Sequence, residues 1–362
     1  MTITTSMTAQ IPRTAGHEVV ALLKPYAALV SLAGKALRFQ AQIQRSGQAP
    51  AFAPLAAAGS SSEGVAHPSN ARIAAHLTLS ELEQFAATLH SEVLADVSRG
   101  AFYYEYQPIA SCASGLVGGY EALVRWRRGG QTTLPADFLP VVEETGAIVQ
   151  IQQRLLSDVA AAHHQLEASS FIAINWSPAQ LSNSTAVSAF LGQIRELRID
   201  PTRLVIEITE HTIAADPATA RASIVRMKAA GLRIALDDFG KGYCGLGYLC
   251  NLPIDHIKID GSLIAQLNRS PRSAAIIEGI IDLAHRLGSE VIAECVETEE
   301  QRTLLDKLDC DYMQGHLIGY PSRHLLPCRA APRSERASVH EAFDAAGFPT
   351  KIPMNLLRGD WT

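Results

Sequence analysis

Eight short apolar segments separated by helical stretches predict an α/β fold: a closed, TIM-like (β/α)8 barrel with one antiparallel strand, preceded by a short helical N-terminal segment and a linker. Three observations carry this expectation. The segments FYYEYQPIA, GYEALVRW, FIAINWS, RLVIEITE, LRIALDD, DHIKID, EVIAECVE and DYMQGHL recur from residue 102 onward. Helical patterns such as FLPVVEETGAIVQIQQRLLSDVAAAHHQLEA and SAAIIEGIIDLAHRLG lie between most of them. Only SCASGL separates the first two segments. That is too short for a right-handed crossover helix, so these two strands form an antiparallel hairpin.

Along the chain, residues 1–45 read as a helical, regulatory segment and 46–78 as a flexible linker. The linker expectation rests on the Ala-, Gly-, Ser- and Pro-rich run SGQAPAFAPLAAAGSSSEGVAHPSNA. The barrel domain is expected over 79–326, opening with the helix LSELEQFAATLHSEVLADVSRG. There Ser80 and Glu83 form a capping-box pattern, Gly100 supplies a stop, and Leu82, Phe85, Leu89, Val93 and Val97 mark one buried face. Residues 327–362 read as a tail with a short helix near SVHEAFDAAG.

The 362 residues are 47% hydrophobic, ample for a large core. A net charge of −5, from 36 acids and 31 bases, argues against binding to a nucleic-acid polymer. The six cysteines (Cys112, Cys244, Cys250, Cys295, Cys310 and Cys328) form no CxxC pair and read as reduced thiols of a cytoplasmic protein. The most apolar run, VVALLKPYAALVSLAGKAL, is interrupted by Lys24, Pro25 and Lys35, so no membrane span is expected.

In such barrels the reactive site lies at the C-terminal ends of the strands. Those ends deliver Glu121, Asn175, Glu207, Asp237 with Asp238, Lys258 with Asp260, Glu294 and Gln314. Each alone suits a cap or a turn. Together they are converging carboxylates, which repel one another unless cations lie among them. An oxygen-rich set with no required Cys or His favours hard cations, Mg²⁺ or Mn²⁺. Six carboxylates and two amides exceed the needs of one ion. They suit a two-ion cluster with metals roughly 3.5–4 Å apart, which serves hydrolytic phosphoryl chemistry. In that arrangement Asp237 is placed to bridge the ions, and Lys258 to orient the attacking water or offset transition-state charge.

The same residues carry a family resemblance. YEALVRW at 120–126, YQPI at 106–109, FLPVVEETG at 138–146, INWSPAQL at 174–181, EITE at 207–210, DDFGKGY at 237–243, LPIDHIKID at 252–260, AECVET at 293–298 and QG at 314–315 resemble, in order, the blocks of the EAL domain family of cyclic di-GMP phosphodiesterases. The resemblance covers roughly residues 80–326 and implies Mg²⁺- or Mn²⁺-dependent hydrolysis of cyclic di-GMP to linear pGpG, lowering this messenger in bacterial signalling of the kind that controls biofilm and motility. By resemblance, Glu121, Asn175, Glu207 and Asp237 hold one metal, and Asp238, with Asp237 and waters, holds the second. Lys258 binds the nucleophilic water, and Glu294, Glu297 and Gln314 complete a polar cage. Gln107, Leu123 and Arg125 contact the dinucleotide, with Arg125 suited to a phosphate by its charge and fork geometry. Glu210 braces the glycine-rich loop. The proton acceptor is either Asp238 or Glu294. Gln107 and Leu123 equally suit packing, and Glu297 equally suits the surface.

The chain departs from the family after DDFG. Lys241, Cys244, Gly245 and Gly247 replace small hydroxyl residues, and Cys295 stands where the family has Gly. A loosened loop is the expected consequence. It keeps open a second function class, a cyclic di-GMP receptor with weak or no turnover. A third, enolase-type Mg²⁺ chemistry, is remote given the block-by-block match. A homodimer through the barrel and a protein partner for the N-terminal segment are further expectations.

Overall fold

The computed structural model describes residues 79–325, apart from 129, 242–248, 250 and 251. The N-terminal segment, the linker, the tail after 326 and the loop positions Cys244, Gly245 and Gly247 lie outside the described residues.

In chain order the structure runs α1 (Leu79–Ser98), β1 (Phe102–Ser111), β2 (Val117–Arg128), β3 (Gln131–Thr133), α2 (Pro135–Glu144), α3 (Ile148–His163), β4 (Phe171–Asn175), α4 (Pro178–Leu181), α5 (Ser184–Glu196), β5 (Leu204–Thr209), α6 (Glu210–Ala215), α7 (Pro217–Ala229), β6 (Arg233–Phe239), β7 (His256–Ile259), α8 (Gly261–Ile264), α9 (Pro271–Arg286), β8 (Glu290–Ala293), α10 (Glu299–Lys307) and β9 (Tyr312–Gln314). The residues fall into two compact units. The first contains 79–104, 123–161 and 188–193; the second contains 105–122, 162–187 and 194–325.

The second unit holds the barrel. Its strands are ordered β1-β9-β8-β7-β6-β5-β4-β2, and pairing of β1 with β2 closes the sheet. All neighbours from β2 round to β9 are parallel, whereas β1 runs antiparallel to β9. The short link read as a hairpin therefore reverses one stave, as expected. The period-2 character of strands then stacks the interior in layers. Ile109, Phe171, Ala173, Val205, Ala235 and Ile292 form one apolar cluster, with Tyr312 packed against it. Gly119 belongs to the same layer, because a Cβ there would meet the Phe171 ring at 2.6 Å.

His256 is fully buried in this unit and stacks on Phe171 with ring centroids 5.5 Å apart. Burial, with Arg233 adding to it, lowers its pKa to about 4. The unfolded chain, with an ordinary imidazole, takes up the proton first as pH falls. The stability contributed by neutral His256 is thus complete above pH 6.5 and is lost as pH drops toward 4. His256→Leu is expected to remove about 3 kcal/mol of the acid-side loss between pH 7.5 and pH 4. Urea unfolding of both proteins at the two pH values measures it; identical pH dependence would contradict this assignment.

In the first unit, Trp126 stacks on Phe102 at 4.9 Å and meets Phe138 edge-on at 5.6 Å. Its indole Nε1 donates to Asp96 Oδ2 at 3.1 Å, and Arg99 also pairs with Asp96. Val93 and Val97 are buried, as their helical spacing predicts. Helix α1 ends at Ser98, and Gly100 just after it has φ +68°, the left-handed conformation expected of a stop. Two details differ from expectation. Ser80 lies within α1, already helical where the described residues start at Leu79, rather than at an N-cap. The three-residue strand β3 was not expected; it pairs antiparallel with the end of β2, and three residues are too few to show a period. Among the described residues no helix is long and apolar enough to cross a membrane, and Cys112, Cys295 and Cys310 are free thiols.

Candidate active site

Two residues beyond each apolar layer position stands a polar side chain. Gly119 leads to Glu121, Ala173 to Asn175, Val205 to Glu207, Ala235 to Asp237, His256 to Lys258, Ile292 to Glu294 and Tyr312 to Gln314. On the reversed strand β1 the step runs backward, from Ile109 to Gln107. Alternation along parallel staves thus converts a list of strand-end residues into one ring at one end of the barrel. Caps stop several strands directly after the ring. Ser177 starts α4 with a capping box to Gln180, Thr209 starts α6, and Asp260 starts α8.

At the centre of the ring is Lys258, 1% exposed. Its Nζ lies 2.8 Å from Glu294 Oε1, 3.0 Å from Glu207 Oε2, 3.2 Å from Asp237 Oδ1 and 3.4 Å from Glu121 Oε2. Burial opposes its charge, but these four carboxylates prevail and hold its pKa well above the ordinary lysine value. Glu121 accepts from Asn175 Nδ2 at 2.7 Å and from Gln314 Nε2 at 2.7 Å. Burial opposes its ionisation too, yet Lys258 and these hydrogen bonds keep its pKa below the usual range. Gln314 Nε2 also donates to Gln107 Oε1, and Gln107 Nε2 donates to the Gly319 carbonyl. Gly315 beside it must be glycine, since a Cβ would lie 2.2 Å from the Val296 carbonyl oxygen.

Glu207 is different. Burial, reinforced by the neighbouring Glu121, raises its pKa well above the ordinary carboxylate value. Apart from the shared Lys258 ammonium, neither of its oxygens, nor Oδ1 of Asp237, meets a hydrogen-bond donor among the described residues. Buried carboxylate oxygens that share one ammonium between them are the donor set of a hard divalent cation. Burial pushes Glu294 up to about 7, against the pull of Lys258.

Regular strand geometry would send the neighbouring Asp237 and Asp238 to opposite faces of the sheet, and an irregularity here changes that. The β6–β7 register shifts between Leu236 and Phe239, and Asp238 adopts φ +59°. This bulge and left-handed turn bring Asp238 round to a second acidic group, in which ligand atoms of Asp238, Asp260 and Glu294 all lie within 4.8 Å of one another. Adjacent acids in the sequence thus serve two neighbouring clusters. Asp260 is the member whose place in this second group no expectation had specified; its caps-or-site ambiguity at the end of LPIDHIKID concealed it.

An open cavity of about 180 Å³ is lined by Gln107, Glu121, Glu294, Cys295, Glu297, Gln314, Gly315 and His316. Glu297 reaches this cavity while remaining exposed, 3.9 Å from His316 Nδ1. In the other unit, Arg125 is buried with Nη1 donating to the Val124 carbonyl, and Leu123 is half-buried. Glu210 is the first residue of α6; the loop it is expected to brace lies largely outside the described residues. Cys295 carries its side chain at φ +53°, a conformation natural for glycine.

A family model described as "EAL domain" matches residues 90–321. The chain belongs to the EAL domain family. This EAL domain is similar to the bifunctional diguanylate cyclase/cyclic di-GMP phosphodiesterase MucR of Pseudomonas aeruginosa, at 35% identity over 62% of this chain and 34% of that protein. It is similar also to the cyclic di-GMP phosphodiesterase RocR of the same organism, at 32% identity over 65% of this chain and 62% of that protein. The chain therefore spans less than two thirds of the length of either relative. A solved structure of the PaMucR phosphodiesterase in complex with c-di-GMP superposes with a TM-score of 0.60 at 32% identity, covering 65% of this chain and 97% of that one.

Proposed function

We propose that this EAL domain hydrolyses cyclic di-GMP to linear pGpG with divalent cations, Mg²⁺ or Mn²⁺, held at the barrel rim. The observation that carries the reading is the buried oxygen set: Glu207 and Asp237 present oxygens whose described donor is the shared Lys258 ammonium alone, beside Glu121 and Asn175. Named relatives that act on cyclic di-GMP support it. Glu121, Asn175, Glu207 and Asp237 would hold one ion, and Asp238 with Asp260 the other. Cations there supply Lewis-acid charge to the phosphodiester and acidify a bound water.

The chain's own residues do the rest. Lys258 places a fixed positive charge at the floor of the site, where it orients the attacking water and offsets negative charge developing on phosphorus-bound oxygens. Glu294, 2.8 Å from Lys258 Nζ, is the nearest carboxylate to that charge and takes the proton from the water. Gln314 and Gln107 form a hydrogen-bonded amide pair along the cavity wall, and Glu297 lies at its mouth. Arg125 and Leu123 are assigned to dinucleotide contact by resemblance. For the segments outside the described residues, we carry 1–45 as a partner-binding element and 46–78 as its linker; deletion of 1–78 with unchanged activity, oligomeric state and location would remove that role.

Purified full-length chain incubated with cyclic di-GMP and Mn²⁺ is expected to release pGpG, and Glu121→Ala is expected to reduce turnover by at least about 100-fold. A receptor reading is favoured by one observation, the pairing of Lys241 with Asp238 at the second cluster. Tight calorimetric binding of cyclic di-GMP without any linear product at high Mn²⁺ would establish the receptor instead.

A further inference from the structure

We propose that Lys241 is a built-in competitor of the second divalent ion, so that this residue sets the metal concentration at which Asp238 and Asp260 take up a cation. The inference rests on the two-ion reading above. Its Nζ lies 2.9 Å from Asp238 Oδ1 and 3.4 Å from Asp260 Oδ2. These are two of the three acids whose ligand atoms converge within 4.8 Å. The remaining acid, Glu294, faces Lys258.

The backbone builds this placement. Asp238 turns left-handed, Gly240 follows at φ +93°, and the Lys241 N–H donates to the Asp238 carbonyl at 3.2 Å. A four-residue turn, 238–241, thereby folds the Lys241 side chain back over Asp238 and the neighbouring Asp260. Cα geometry alone asks only for Gly240; nothing in the turn asks for a cation at 241.

The two lysines of the site differ in permanence. Lys258 is 1% exposed and fixed among four carboxylates, whereas Lys241 is 60% exposed and Asp238 39%. An exposed ion pair is weakly held and screened by solvent. A divalent ion brings twice the charge and direct ligation, so it displaces Lys241 once its concentration suffices. The residue therefore does not abolish the second position. It raises the metal concentration needed to fill it, and turnover of this chain becomes responsive to free divalent ion over a higher range than a small residue at 241 would give.

The test is a Mn²⁺ titration of the full chain, with free Mn²⁺ counted by electron paramagnetic resonance, comparing wild type, Lys241→Met and Lys241→Arg. Methionine keeps the length and drops the charge; arginine keeps the charge. Wild type is expected to fill two positions of unequal affinity, and Lys241→Met to tighten the weaker by about tenfold or more while shifting the tighter by less than about twofold. Lys241→Arg should track wild type, and Asp238→Asn placed in the Lys241→Met background should remove the weaker position. An unchanged weaker affinity in Lys241→Met, with the tighter position titrating normally, overturns the role of Lys241 and leaves the two-ion reading standing. Equal effects of Met and Arg overturn it as well, since charge would not be the cause. Absence of Mn²⁺ binding in every protein overturns the two-ion reading and this inference with it.

Discussion

Lys258→Met is expected to unfold about 3–5 kcal/mol more readily than wild type in the presence of a chelator, because removing one partner of a buried ionic group leaves the others uncompensated. Here the others are Glu121, Glu207, Asp237 and Glu294, all within 3.4 Å of the ammonium. Methionine fills the stem's volume but offers no charge. The carboxylates then either repel or take up protons, so the loss is smaller at pH 6 than at pH 8. Excess Mn²⁺ should return part of the stability, and more of it than in wild type, since a divalent ion replaces the missing positive charge. Turnover should fall at least about 100-fold if Lys258 orients the reacting water as proposed. Urea unfolding with chelator and with Mn²⁺, at both pH values, measures the stability effects. A variant as stable as wild type under chelator would mean that the acids do not depend on this lysine.

Glu207→Gln should behave in the opposite sense. Burial and the adjacent Glu121 already disfavour the Glu207 charge. An amide of nearly the same shape removes a like charge and adds a donor beside carboxylate oxygens that otherwise share the Lys258 ammonium. With chelator present the variant should therefore match or exceed wild-type stability, by about 1–2 kcal/mol. Its stabilisation by Mn²⁺ should disappear, and turnover should drop by at least about 100-fold. The two variants form a pair: one loses stability and regains it with metal, the other gains stability and no longer senses metal. Thermal unfolding with and without Mn²⁺ separates them. A Glu207→Gln protein that still gains full wild-type stabilisation from Mn²⁺ would exclude Glu207 from the cation site.

Much of this site was legible because strand periodicity is simple. Ala173, Val205, Ala235 and Ile292 each precede a polar residue by two positions, and a barrel brings such positions into one ring. The hairpin followed from the shortness of SCASGL, and the family blocks supplied roles that spacing alone leaves open. Other features depend on local backbone geometry. That Asp238 would leave its partner and join Asp260 required a register shift and a positive φ; neither is encoded in residue type, since Asp tolerates both conformations. The reach of Lys241 back to Asp238 follows from that same turn, and it could be seen in sequence only as a departure from a small residue. Ser80 shows the converse, in which a capping pattern matched but the residue lies within the helix.

The most direct measurement is anomalous scattering from crystals of the full chain soaked in Mn²⁺. A manganese peak is expected bounded by the oxygens of Glu121, Asn175, Glu207 and Asp237, with Lys258 displaced from at least one of them, and a second peak beside Asp238 only at higher Mn²⁺. No peak at the rim in well-ordered, Mn²⁺-saturated crystals, with Lys258 still holding all four carboxylates, would contradict this expectation.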